Sequence, residues 1–231
     1  MDKAQILFAG GAGSVTGANF LLTYKKTKLL VDCGLEQGSE MAEQTNWEDF
    51  PYDPREVQAL IITHAHLDHI GRIPKLIQDG FRGIIYSTPA TKDIVAIMLE
   101  DTIKILGSSK SHPELKEFYN EKNLRKALSL WKTEKYHQEF TIGDIGIVFK
   151  DAGHILGSVM AELQVGSQKV LFTGDLGNSP SPILRDTEAI SDIDYIVMES
   201  VYGDRNHADR PDREKNLLEV INEAHAGGGT L

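Results

Sequence analysis

Residues 64 to 69 read His64-Ala65-His66-Leu67-Asp68-His69, and no other stretch narrows the fold as far. Four metal-capable side chains occupy six positions, directly after the apolar run Ala59-Leu60-Ile61-Ile62. A buried strand that delivers such a cluster to its carboxyl end is an economical way to build a two-metal site. Imidazole nitrogen mixed with carboxylate oxygen suits zinc or a similar divalent ion. The plainer reading is a solvated turn rich in histidine. Three of the chain's eight histidines within six residues speak against it.

The rest of the chain supplies strands and helices to carry such a site. Gln5 to Ala9, Asn19 to Tyr24, Lys28 to Asp32 and Val57 to Thr63 read as strands, with Lys25-Lys26-Thr27 as a turn. Residues 35 to 56 read as a long polar loop. Gly71 to Gln78 reads as a short helix closed by Gly80, followed by helices over Pro89 to Leu106 and Glu114 to Leu130. Strands resume at Ile145 to Phe149, Met160 to Val165, Lys169 to Thr173 and Tyr195 to Met198, and a final helix spans Arg213 to Ala226. Two groups of strands, each with helices, predict a layered α/β arrangement. Thr230-Leu231 follow a glycine turn and read as the opening of another strand, as though the polypeptide were longer.

Acids and histidines recur where these strands stop. Asp32 follows Leu29-Leu30-Val31, His154 follows the strand ending at Phe149, Asp175 lies in Phe172-Thr173-Gly174-Asp175, and Glu199 follows Ile196-Val197-Met198. One acid after a strand is an ordinary solvated turn. The repetition at five strand ends is the pattern of a site gathered at the carboxyl edge of sheets.

In order and wording, Asp32, the His64-to-His69 motif, His154 and Asp175 closely resemble the metallo-β-lactamase superfamily, over essentially the whole chain. The resemblance implies an αββα fold, a β-sandwich flanked by helices. It implies that His64, His66 and His154 hold one zinc ion and that Asp68 and His69 hold a second. Asp175 would bridge the two, and Asp32 would orient a ligand from behind. The residue types agree: alternate residues 64 and 66 point the same way, and paired ions about 3.5–4 Å apart turn water into a nucleophile near neutral pH. Asp68 would aim that nucleophile, and Asp175 would help stabilise the charge that builds up on attack. Manganese is the alternative ion.

The segment Glu199-Ser200-Val201-Tyr202-Gly203-Asp204-Arg205-Asn206-His207 resembles the opening of the β-CASP branch, nucleases that process RNA, with Val201 where threonine is usual. There the acid matching Glu199 supports a histidine. The loops Gly10 to Gly17 and Gly153 to Ser158 resemble the polyadenylation-endonuclease-like members. The glycine loop lacks the Gly-Lys-Ser/Thr of a phosphate loop and has a strand after it, so a tight turn is its default reading. The resemblance thus implies RNA endonuclease activity, with exonuclease activity in addition, and residues 1–204 as the first portion of the metallo-β-lactamase domain. Residues 205–231 would lead into a cap domain. The histidines that the branch carries in and after its cap have no match here, since only His207 and His225 follow Asp175. An open second metal position follows from that gap. A homodimer or a larger RNA-processing assembly is compatible with the resemblance.

Two rivals stand beside this reading. A carbonyl hydrolase of the same fold, such as a glyoxalase-II-like thioesterase, would use the same ligands, and the Glu199 segment argues against it. A non-catalytic RNA-binding partner subunit would have no need of six intact ligands. Net charge is -10, from 24 basic and 34 acidic residues, which excludes a protein that grips nucleic acid over its whole surface. Lys104, Lys110, Lys116, Lys122, Arg125 and Lys126 concentrate positive charge in the helical middle, where a solvated helix face is the default reading. The single cysteine, Cys33, reads as a buried filler and permits no intrachain disulfide. With no leader-like or membrane-length apolar run, a soluble cytoplasmic protein is expected.

Overall fold

A computed structural model describes residues 3–38, 44–107, 113–206 and 210–230. The chain divides into two compact units, Met1–Glu199 and Ser200–Leu231.

The first unit is built on two sheets. One has the strand order β1-β2-β3-β4-β5-β6: Gln5–Gly10, Asn19–Tyr24, Thr27–Val31, Ala59–Ile61, Ile84–Ser87 and Trp131–Thr133. β1 to β3 run antiparallel, while β3 to β6 are mutually parallel. The other sheet runs β11-β10-β9-β8-β7, from Tyr195–Val197, Gln168–Phe172, Val159–Val165, Ile145–Asp151 and Glu139–Ile142. Only β10 and β11 pair in parallel there.

Alternation along the strands assigns the faces. Leu22, Leu29, Val31, Ala59 and Ile61 of the first sheet meet Ile147, Phe149, Ala161, Leu163 and Phe172 of the second in one dry core. The opposite residues, Leu21, Leu30, Leu60 and Ile62, pack on the helical layer through Ile70, Ile73, Leu76, Val95, Leu99 and Leu124. That layer comprises α1 (Leu67–Ile70), α2 (Ile73–Gln78), α3 (Pro89–Leu106) and α4 (Glu121–Ser129). Burial on both faces explains why β4 reads as an unbroken apolar run.

Several elements differ from expectation. The helix predicted over Gly71 to Gln78 is α2, Ile73–Gln78, and an unanticipated short helix, α1, precedes it at Leu67–Ile70 and carries Asp68 and His69. The predicted 114–130 helix is interrupted: Pro113–Glu117 is a 3-10 turn, and Asn120 restarts the chain by accepting a hydrogen bond from the Asn123 backbone N–H at 3.0 Å. β5, β6 and β7 were not anticipated. They are three or four residues long, and the periodicity of so short a run is hidden. The outer face of the second sheet is covered within this unit by Leu176, Ile190 and Ile193 from a helix-free segment, not by a helix.

The second unit contains α5 (Arg210–Ala226), with His225 in its last turn. Lys110, His207 and Leu231, named above from the sequence, lie outside the described residues.

Candidate metal centre

Strand direction sets the stage. β3 and β4 are parallel, and β8, β10 and β11 share one direction, so the acids and histidines that follow these strands collect at one edge of each sheet. Thr63 ties the two edges together: its carbonyl accepts the Val159 N–H at 2.8 Å.

Two groups of side chains result. His64, His66, His154 and Asp175 present ligand atoms that all lie within 4.8 Å of one another, and so do Asp68, His69 and Asp175. In the first group His66 Nδ1 is 3.0 Å from His64 Nε2 and 3.2 Å from His154 Nε2. Asp175 Oδ2 stands 3.6 Å from both Nε2 atoms. A tetrahedral ion with nitrogen ligands at about 2.0–2.1 Å spaces those ligands about 3.3–3.4 Å apart. The edges fit such an ion. In the second group the other Asp175 oxygen, Oδ1, is 3.2 Å from His69 Nε2, and Asp68 Oδ2 is 3.8 Å from the same nitrogen. One carboxylate therefore faces both groups, one oxygen each.

The buried groups behind these ligands fix their tautomers. Asp32 is 1% exposed and sits at φ 58°, a left-handed conformation that aspartate tolerates better than most residues. Its Oδ1 accepts the Thr63 N–H and its Oδ2 accepts the Thr63 hydroxyl, each at 2.8 Å. The same Oδ2 is 2.8 Å from His69 Nδ1. Having donated its one proton to Asp32, Thr63 Oγ1 can only accept from His64 Nδ1, 3.1 Å away. His64 thus carries its proton on Nδ1 and turns an Nε2 lone pair into the first group. Thr63 is the functional residue that the sequence reading missed, having treated it as the end of a strand. A hydroxyl directly before the motif is all the sequence shows of it, and that does not place Thr63 between Asp32 and His64.

Burial holds the His64 imidazole neutral, well below its usual range, with His69, His154 and His66 adding to the shift. His154 is lowered by burial and by its histidine neighbours, against the pull of Asp175. His69 behaves oppositely. Burial disfavours its charge, yet Asp32 and Asp175 together outweigh that and raise it to about 10. Asp175 is lowered in turn: burial works against its charge, but the His69 hydrogen bond and charge prevail. The donor set is neutral imidazoles beside carboxylates, with the His64 lone pair turned inward, the chemistry a divalent ion requires.

The loops that carry these residues are firmly placed. Thr88 and Thr91, at the start of α3, both donate to the Gly157 carbonyl, at 2.8 and 2.9 Å, and Ser158 Oγ accepts the His154 N–H at 3.1 Å. Gly34 allows close approach: a Cβ there would stand 1.5 Å from the Asp68 carbonyl oxygen. Gly174, at φ 53°, packs against the Thr63 side chain. The 10–17 glycine loop is an exposed turn whose exit is held to the centre by the Ala18 N–H donating to the Asp68 carbonyl at 2.9 Å. Glu199 accepts the Leu176 N–H at 3.1 Å, beside Asp175, and its charge acts on His154. Cys33 is fully buried, 4.0 Å from Asn19 Nδ2, and its thiol is pushed up to about 12 by burial.

The metallo-beta-lactamase superfamily model matches residues 13–221, a span that contains every residue of both groups. The chain belongs to this superfamily. Among curated members, Ribonuclease TTHA0252 of Thermus thermophilus is 36% identical over 98% of this chain and 50% of its own length. Cleavage and polyadenylation specificity factor 73 of Drosophila melanogaster is 31% identical over 99% of this chain and 33% of its own. The chain thus spans half or less of the length of these curated relatives. A protein of unknown function from Enterococcus faecalis superposes with a TM-score of 0.51 at 19% identity, over 76% of this chain and 44% of that one, a likeness of fold alone. A superfamily fold with this donor cluster supports a bound divalent metal. No described helix is long and apolar enough to cross a membrane.

Proposed function

We propose that this chain carries the metal-binding half of an RNA endonuclease of the β-CASP branch. The observation that carries the reading is the pair of ligand groups joined at Asp175. Relatives named as ribonuclease and as endoribonuclease favour RNA as the substrate. In this reading His64, His66 and His154 would hold one zinc ion, Asp68 and His69 would hold a second, and Asp175 would serve both. Bound divalent ions lower the pKa of water and offset charge on a phosphate. Asp68, at the partly exposed edge of the second group, takes up a proton from the attacking water and directs its oxygen at phosphorus. The new P–O bond replaces the one to the leaving ribose oxygen, which acquires a proton from solvent. Asp32 and Thr63 hold His69 and His64 in the tautomers that keep their Nε2 atoms available. Glu199 holds the Leu176 backbone and with it the Asp175 loop. The second group would hold its ion through Asp68, His69 and Asp175 among the described residues, and that ion would offset charge on a phosphate.

Residues 1–204 would then form the metallo-β-lactamase portion and 205–231 the approach to a cap domain. A cytoplasmic location and a place in a larger RNA-processing assembly go with this reading. The test is metal content by elemental analysis together with cleavage of labelled RNA with and without chelator. Joint replacement of His64 and His66 by alanine should abolish bound metal. Unchanged metal content in that variant would overturn the ligand assignment, and chelator-insensitive cleavage would overturn the mechanism.

A further inference from the structure

A second concentration of charge lies away from the metal centre. α2 and α4 flank a pocket of about 480 Å³ whose lining includes Arg82, Lys122, Arg125 and Lys126. Lys122, Arg125 and Lys126 stand at i, i+3 and i+4 of α4, so they share one side of the helix. The opposite side, Leu124 and Ala127, is committed to the core. Arg82 is held in place: its Nη1 donates to the carbonyls of Ile77 and Phe81 at 2.9 and 2.6 Å. That uses a single guanidinium nitrogen. Arg125 pairs with Glu121 at 3.0 Å, but both side chains are about three-quarters exposed, where such pairs are weak. No aspartate or glutamate lines the pocket among the described residues. In a chain of net charge -10, four cations around one cavity stand out.

Topology places the pocket at the opposite end of the first sheet from the metal centre. Arg82 precedes β5, and the Ile84 N–H donates to the Gln58 carbonyl just before β4. From Gln58 to His64 the chain climbs six residues, about 20 Å at an extended rise.

We infer that this pocket is a phosphate-binding subsite for single-stranded RNA, remote from the metal centre. The inference rests on the nuclease reading above. Its cations would neutralise backbone phosphates of a strand that extends past the cleavage site, adding affinity for long substrates without reading sequence. The held Arg82 fork suits a phosphate, and the α4 cations can follow a flexible chain.

The experiment uses the full-length protein carrying Asp68→Asn, so that RNA is bound and not cut. Binding of fluorescent single strands of about 6 and about 30 nucleotides, below and above the span of a small binding site, is followed by anisotropy across a salt series. The Lys122→Gln/Lys126→Gln pair should weaken binding of the long strand about 5- to 20-fold at low salt. It should also lower the salt slope by about 1.4, the value for two phosphate contacts on a single strand. The short strand should bind as before, and Arg82→Gln should act in the same direction. Replacing both lysines by arginine should restore long-strand affinity. Unchanged long-strand affinity and slope would overturn the subsite, as expected if the pocket instead received an acidic protein segment. Failure of the parent protein to bind either strand would overturn the nuclease reading itself.

Discussion

Asp32 Oδ2 lies 2.8 Å from His69 Nδ1, and the same oxygen accepts the Thr63 hydroxyl that faces His64. One buried carboxylate thereby orients a histidine in each ligand group. Asp32→Asn keeps a side chain that tolerates φ 58° but exchanges one acceptor oxygen for an amide NH2 that only donates. Metal affinity should fall about 10- to 100-fold with the fold retained. Competition with a chromophoric chelator, read beside far-UV circular dichroism, checks this. Asp32→Ala should be worse, adding about 1–2 kcal/mol of left-handed strain.

Asp68 is the residue whose loss should separate binding from chemistry. Asp68→Asn should bind RNA and at least one metal ion, and its thermal midpoint should stay near that of the parent. Cleavage by the full-length protein should drop by at least about 10²-fold, the usual weight of a positioned proton acceptor. Single-turnover assays over pH would show the loss, and retained activity would contradict the assigned role.

The pH behaviour of the metal-free chain follows from His69. Its folded value is about 10 against an ordinary 6.5. The stability gained from the charged imidazole is therefore complete below pH 6.5 and disappears as pH rises through 10. Urea midpoints of chelator-treated protein should fall between pH 7 and pH 10, and His69→Gln should flatten that fall. The same charge predicts that metal uptake near pH 7 releases a proton from His69, visible as a buffer-dependent heat in titration calorimetry.

Cys33 should be inert while the chain is folded. Burial raises its thiol to about 12, so almost no thiolate exists at pH 8. Labelling by a thiol reagent should wait for unfolding, and its rate should follow denaturant concentration. Rapid labelling of native protein would show that β3 and α1 part more readily than their packing indicates.

Gly34 tests how tightly the second ligand group is braced. An added methyl would overlap the Asp68 carbonyl oxygen at 1.5 Å, a backbone atom with no rotamer to retreat into. Gly34→Ala should cost about 1–3 kcal/mol or more and weaken metal binding together with it. Thermal melts and metal analysis on one preparation would check both.

The legible parts of this protein were those in which several residues repeat one signal. The His64-to-His69 motif and the acids after β3, β10 and β11 announce themselves, as does α3, with Thr88 as its cap and a long apolar face. What stayed hidden was relational. Nothing local to Thr63 tells that its hydroxyl lies between Asp32 and His64, because that depends on β3 and β4 being parallel neighbours. Likewise the sequence does not show that the register of β11 on β10 brings Glu199 to the Leu176 backbone beside Asp175. The break at Asn120 shows a cap overriding a run of helix formers.

His64 and His66 hang from the first sheet, while His154 and Asp175 hang from the second. An ion among them would act as a clasp at the mouth of the sandwich, so that its binding energy also resists the parting of the layers. Chelation should accordingly loosen the rim first. Amides at 63, 159 and 173 would exchange faster, while those in the middle of β9, far from the clasp, would keep their protection.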